Sequence, residues 1–376
     1  MSTIAIVTVD GGGNLPPTLR IADELARRGH RVRVFGQRRQ ADAVIRRGHA
    51  FGPLDALEFW DRTVRQTVPA AVADAVRLAS DRAIEREVRE SVGDADAAIV
   101  DGLMASAVRG ARSAGVPTAA LLHTFLAYWE RSFRRGPIGI GARLRGVDLL
   151  AAWRDADARI VTTDPGLDPA SSGRSALARA SEWIGAVETG VQAEPDTSTP
   201  PLVVVSLSTT WFPGQTDAYQ HIATALGSLP VRAVMTLGGL RPDRELHAPP
   251  NVRVMDRGDH GALFPEASLI VCHGGHSTTF RALAHGLPTV LLPMHPLLDQ
   301  PMIAKAVEHA GAGRLLPRTA RPERIAKALA AILADPGVRA SAIELGERLR
   351  ATDAASAGAD VVERLVGAPG RASRAA

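Results

Sequence analysis

Short apolar runs recur along this chain, each separated from the next by enough residues for a helix, and this alternation constrains the fold more than any other feature. In the first half the runs are IAIVTV (4–9), RVRVFG (31–36), AAIVDG (97–102), TAALLH (118–123) and RIVTT (159–163). In the second half they are LVVVSLS (202–208), VRAVMTLG (231–238), NVRVMD (251–256), SLIVCHGG (268–275) and PTVLLP (288–293). Strands read this way are apolar on both faces, which only a sheet covered by helices on both sides can satisfy. The expected fold class is therefore α/β, with two Rossmann-like doubly wound domains facing across a cleft. Ligands of such sheets sit outside the carboxyl ends of the strands.

The stretch ETGVQAEPDTSTPP (188–201) is polar, contains prolines and lacks periodicity, so it reads as a linker. This places an N-terminal domain at 1–187, a C-terminal domain at 202–366 and a disordered tail at 367–376. RRGH occurs at 27–30 and again at 46–49, each time ending a helix before a strand, and reads as repeated turn chemistry. A chain of 376 residues has room for both domains, and its 45% hydrophobic and 22% charged composition is that of a globular protein.

The formal net charge of +4 comes with no dense basic run interleaved with aromatics, so no nucleic-acid partner is expected. The first residues carry no basic leader, and no run is long enough to span a bilayer, so a cytoplasmic protein without a membrane partner is expected. The single cysteine, Cys272, lies within an apolar run and reads as core. No group of His, Cys or carboxylates has metal-ligand spacing, so neither a metal nor a cofactor is expected.

VCHGGHSTTFRALAHGLP (271–288) breaks an apolar run with a histidine and two glycines just before a helix. Glycines at such a turn let backbone N–H groups approach a ligand closely, and the helix start that follows attracts anions. His273, Gly274, Gly275, Ser277 and Thr278 thus read as a seat for a diphosphate.

HGGHST, followed by ALAHGLPTVLLP and DQP (299–301), resembles the donor-binding motif of the family 1 nucleotide-sugar glycosyltransferases of the GT-B fold, bacterial natural-product members above all. The resemblance is densest over 251–316. It implies an inverting, metal-independent transfer of a sugar to a small-molecule acceptor, from a TDP-deoxysugar or UDP-glucose co-substrate, by a monomer or homodimer. Asp299 and Gln300 would then contact sugar hydroxyls. The loop from Arg257 to His260 would cradle the nucleobase, with the Arg257 guanidinium replacing the usual aromatic ring. The loop 206–211, with Ser208 and Thr209, would close over phosphates and sugar. PMHPLLDQ holds more residues between its proline and the Asp-Gln pair than the family usually has.

GGGNLPPTLRIADELARRGHRV (11–32) resembles the family's first strand–loop–helix, where a histidine three residues before the proline matching Pro17 acts as general base. Asn14 holds that place, and a carboxamide cannot take a proton at neutral pH. Asp101 falls where the supporting carboxylate is expected, and His123 ends the next run. Three readings stay open: Asp101 as base or orienting acid, His123 as base, or an acceptor that needs little help. Two rivals also stand: a non-catalytic sugar-nucleotide-binding partner, which Asn14 favours, and a sugar-nucleotide epimerase. Of the other histidines, His285 reads as a helix C-cap and His30 and His49 as structural. His221, His247 and His309 show no pairing. Core packing is expected of Trp129, Trp153 and Trp183.

Overall fold

The computed structural model of the chain describes residues 1–367. Apart from Gly367, which ends the last helix, the expected tail lies outside the described residues. The chain divides into two compact units. Unit 1 comprises Met1–Asp61, Gln66–Val187 and, of the described residues after Thr352, 353–367; unit 2 comprises Arg62–Arg65 and Glu188–Thr352.

Unit 1 holds β1 (Thr3–Val7), β2 (Arg31–Gly36), β3 (Ala50–Pro53), β4 (Ala97–Asp101), β5 (Thr118–Leu122), β6 (Ala158–Val161) and β7 (Glu182–Trp183). They form one sheet in the order β3-β2-β1-β4-β5-β6-β7, and every neighbouring pair is parallel. Along β1 the side chains alternate between two cores. Ile4 and Ile6 pack with Ile21 and Leu25 on one face, while Ala5 and Val7 pack with Leu78 and Val108 on the other. Burial on both faces is why these strands read as unbroken apolar runs.

Unit 2 holds β8 (Leu202–Ser206), β9 (Arg232–Thr236), β10 (Val252–Met255), β11 (Leu269–Cys272), β12 (Thr289–Leu291) and β13 (Gly313–Leu315), in the order β10-β9-β8-β11-β12-β13, again all parallel. In each sheet the strand order reverses beside the first strand, at β1/β4 and at β8/β11. A reversal of this kind spreads the following loops apart and opens a crevice at the carboxyl ends. The register sets Cys272 beside Ser206, so the loops that begin at Leu207 and His273 leave the sheet side by side.

Three strands escape the sequence pattern. β3 and β13 are only four and three residues long and partly exposed, and β7 has two residues. The last helix, Ala354–Gly367, was expected in the C-terminal domain but packs in unit 1 against the helix Leu15–Arg27. Its buried stripe, Ala355, Ala359 and Val362, joins the Ile4–Ile6 core. Arg28 clasps it by donating to Asp360 at 2.5 Å, to Glu363 at 2.7 Å and to the Ser356 hydroxyl at 2.6 Å. These acids and Glu24 raise the Arg28 pKa further above its ordinary value, Glu24 most of all.

Candidate active site

In unit 2, β11 is wholly buried and delivers His273 at its carboxyl end with its side chain 8% exposed. Burial pushes the His273 pKa down to about 3, so the imidazole is neutral at physiological pH. Its Nδ1 is buried without a hydrogen-bond partner. Gly274 has φ +79°, and a Cβ there would stand 2.9 Å from the Gln300 carbonyl oxygen. Gly275 is demanded differently: a Cβ would stand 2.2 Å from His273 Nε2, because the ring folds back over it. The two glycines are therefore required by the protein's own atoms, one by backbone conformation and one by the imidazole.

The helix His276–Ala284 begins directly after Gly275, and no side chain caps it. Its first N–H groups and helix dipole are thus left for an anion. Ser277 and Thr278 stand half-buried in this first turn. His276 stacks on Phe280 at 4.1 Å. His285 stands at the C-cap and accepts from the Val191 N–H at 3.3 Å. Cys272 is a buried free thiol, its pKa raised by burial.

Around this turn the other expected donor residues take varied places. Gln300 is buried, and its Oε1 accepts from the N–H groups of Met294 at 2.7 Å and His295 at 3.1 Å. Its carbonyl oxygen therefore braces the 294–295 loop, which leaves the carboxamide N–H groups as its remaining polar handle. Asp299 precedes the helix Gln300–His309 and is half-buried. The Ser208 hydroxyl accepts from the Thr210 N–H at 2.9 Å, and the Thr209 carbonyl accepts from the Arg62 guanidinium. Arg257 is exposed, with its guanidinium lying against Gly239, where a Cβ would collide with it. His260 stacks on Phe264 at 4.6 Å, and burial foremost pushes its pKa down to about 4.

In unit 1, Asn14 opens the helix Leu15–Arg27 without capping it. Its carboxamide is instead fully engaged. Nδ2 donates to the Val9 carbonyl at 2.7 Å and to Asp101 Oδ2 at 2.6 Å, while Oδ1 accepts from the Gly11 N–H at 3.0 Å. Asp101, at the end of β4, also accepts from the Leu103 N–H at 3.0 Å. His123 follows β5 and brings Nε2 to 3.8 Å from Asp101 Oδ2. Asn14, Asp101 and His123 thus form one polar cluster.

Three threonines complete this cluster, and sequence reasoning missed them. Thr18 Oγ1 donates to the Asn14 carbonyl at 2.8 Å and lies 3.3 Å from His123 Nε2. Thr162 Oγ1 lies 3.5 Å from His123 Nδ1. Thr124, directly after His123, has φ +68° and is the one non-glycine with positive φ among the described residues. A β-branched residue there is strained, and such strain gathers where a neighbouring side chain must be aimed. Trp129 Nε1 donates to the His123 carbonyl at 2.5 Å and fixes the same turn. Trp153 is fully buried, as expected; Trp129 and Trp183 are half-buried at the edge of the core. His30 and His49 stand within hydrogen-bond distance of Glu363 and Asp23, at 2.9 and 2.7 Å.

Among the described residues no group of three or more His, Cys, Asp or Glu could hold a metal ion. Nor is any described helix long and apolar enough to cross a membrane.

Residues 221–367 match the family model of the erythromycin biosynthesis protein CIII-like C-terminal domain. A PGL/p-HBAD biosynthesis glycosyltransferase of Mycobacterium tuberculosis (strain ATCC 25177 / H37Ra) is 27% identical over 314 residues, which cover 72% of this chain and 69% of the relative. The 4'-demethylrebeccamycin synthase of Lentzea aerocolonigenes is 24% identical, covering 96% of this chain and 99% of its own. Among solved structures, the glycotransferase of kitacinnamycin superposes with a TM-score of 0.79 at 23% identity, covering 97% of this chain and 99% of its own. The spinosyn rhamnosyltransferase SpnG complexed with thymidine diphosphate superposes with a TM-score of 0.71 at 18% identity, covering 96% and 100%.

Proposed function

We propose that this chain, a GT-B glycosyltransferase of natural-product biosynthesis, is an inverting, metal-independent enzyme that moves a deoxysugar from a TDP donor to a hydroxyl of a small-molecule acceptor. The observation that carries this reading is the uncapped helix start behind His273-Gly274-Gly275. A solved relative in fold that holds thymidine diphosphate supports the choice of nucleotide, and UDP-glucose is the alternative donor.

In this mechanism the donor diphosphate lies against the N–H groups at 276–278 and the hydroxyls of Ser277 and Thr278. Neutral His273 donates from Nε2. That tautomer leaves only a lone pair at the buried Nδ1. The acceptor oxygen attacks the anomeric carbon from the face opposite the diphosphate. The carbon–oxygen bond to the diphosphate breaks, and its electron pair leaves with the phosphate. The donors at 273–278 are in place before that charge develops, and this is where preorganised hydrogen bonds lower a barrier most.

The acceptor proton passes to His123. Asp101 Oδ2 and Thr18 Oγ1 lie near its Nε2 and Thr162 Oγ1 near its Nδ1, and the Asp101 carboxylate stabilises the imidazolium that forms. Asn14 takes no proton; its carboxamide holds Asp101 in place. The same substitution also favours a second reading, a sugar-nucleotide binder without chemistry.

Incubation with a labelled TDP-sugar and a panel of phenol and alcohol acceptors separates the two readings, since a binder shows affinity and no product. In the enzyme, His273→Ala lowers turnover about 100- to 1000-fold, as loss of one such donor does elsewhere. Wild-type turnover by that variant would exclude the diphosphate seat.

A further inference from the structure

A groove of about 590 Å3 opens on unit 1 between the helix Leu126–Arg135 and the segment 169–176. Arg131, Arg134, Arg135 and Arg174 line it, against the single carboxylate of Glu130. All four arginines are exposed.

Three of them sit at i, i+3 and i+4 of the helix, so they project from one face, a spacing at which like charges weaken a helix. The helix dipole accounts for Arg134 and Arg135 in the last turn, but not for Arg131 or Arg174. Their neighbours behave differently: Arg143 donates to the Phe133 and Arg134 carbonyls, and Arg179 to the Gly173 carbonyl. The four groove guanidinium groups make no ion pair or hydrogen bond among the described residues. Folding therefore does not explain them.

The walls are held in place. Asp168 accepts from the N–H groups of Leu126 at 2.5 Å and Ala127 at 3.2 Å, and from Ala170 at 2.9 Å, tying the helix start to the opposite turn. Both walls leave the carboxyl ends of β5 and β6, the strands that deliver His123 and Thr162. The volume suits a small molecule and not a single ion.

We propose that this arginine groove binds a small organic molecule through an acidic substituent, a carboxylate, phosphate or sulfate, and so makes the enzyme selective for anionic acceptors. The step from binding to acceptor choice rests on the reading that unit 1 takes the acceptor. Guanidinium groups pair with such oxyanions in a two-pronged geometry that a neutral ester or amide cannot match.

The test uses fluorescent probes with one aromatic body: 4-methylumbelliferyl phosphate, 4-methylumbelliferyl sulfate, 7-methoxycoumarin-3-carboxylate and its neutral ethyl ester, and neutral 7-methoxy-4-methylcoumarin. Binding to the full chain is read by fluorescence anisotropy in saturating TDP, which fills the donor site, at 20 and 300 mM salt. At least one anionic probe binds about tenfold or more tightly than its neutral counterpart at low salt, and the gap narrows at high salt, as screening requires. Arg131→Gln/Arg134→Gln and Arg135→Gln/Arg174→Gln each shrink the gap at least about threefold. Their melting temperature and TDP affinity stay unchanged, since these exposed side chains hold nothing in the fold.

Anionic probes that bind no more tightly than the neutral ones overturn the proposal, and so does a preference that survives both double variants. A chain that transfers sugar but shows no anion preference refutes the groove alone. One that prefers anions but transfers no sugar refutes the enzymatic reading alone.

Discussion

Substituting Gly275→Ala tests the most specific feature of the proposed donor site, the packing of an imidazole against a glycine. The new methyl would stand 2.2 Å from His273 Nε2, while ordinary contact begins near 3.4 Å, so the ring must move by about 1.2 Å. The backbone at Gly275, φ −67° and ψ 140°, suits alanine, so the whole effect must come through the ring. His273 is buried and cannot swing freely into solvent. Forced overpacking of this kind costs about 1–3 kcal/mol of stability. A displacement near 1 Å of a group that contacts the reacting phosphate costs about 100-fold in rate. Calorimetric titration with TDP and steady-state turnover read the two consequences separately from melting. In a His273→Ala background the clash is gone, so adding Gly275→Ala should cost no more than the few tenths of a kcal/mol expected of independent sites. Wild-type TDP affinity and turnover in the single variant would show that the ring does not sit where the donor site needs it. An equal loss in both backgrounds would assign the effect to the helix start itself.

Acid should weaken the fold through His273. Its folded pKa of about 3 lies below the ordinary 6.5, so between these values the unfolded chain binds a proton that the folded chain refuses; stability is full above about pH 6.5 and falls as pH drops toward 3. At pH 5 the loss from this group is about 2 kcal/mol. Urea unfolding at pH 7 and pH 5 should therefore show a smaller difference for His273→Asn than for wild type, and an equal difference would contradict the burial argument. In unit 1, His123→Ala should lower turnover about 10²- to 10⁴-fold with TDP affinity unchanged, and Asp101→Asn should do likewise. Undiminished turnover by His123→Ala would move the base elsewhere. Arg28→Ala should destabilise unit 1 by about 1–2 kcal/mol, because its acidic partners are partly exposed and each pair is worth less than a buried one. Limited proteolysis should then release the helix Ala354–Gly367 first; an unchanged cleavage pattern would count against the clasp.

The two sheets were legible because a parallel strand buried on both faces announces itself within its own few residues. All ten runs became strands, with ends shifted by a residue or a few, since the apolar pattern does not stop where hydrogen bonding does. Asn14 and Asp101 could be named through the resemblance of their segments to the family's motif and His123 from its place at a strand end, and the fold gathers them. What stayed hidden depends on residues far apart in the chain. Thr18 and Thr162 reach His123 from 105 and 39 positions away, and no local signal marks them. Gly275 was read as room for a ligand, whereas the nearest demand on it is the His273 ring. Gln300 was read as a sugar contact, yet its oxygen serves two backbone N–H groups of the preceding loop. The membership of Ala354–Gly367 in unit 1 was equally unreadable, because an amphipathic helix does not say which core it will cover.

That last placement makes the first unit a discontinuous object, opened at one terminus of the chain and closed from the other. During synthesis the part of the Ile4–Ile6 core that Ala355, Ala359 and Val362 join waits for them until the whole of Glu188–Thr352 has been made. A stop codon placed after Thr352 would leave every residue of the second unit intact and yet injure the first, so the damage from a truncation would surface at the opposite end of the gene.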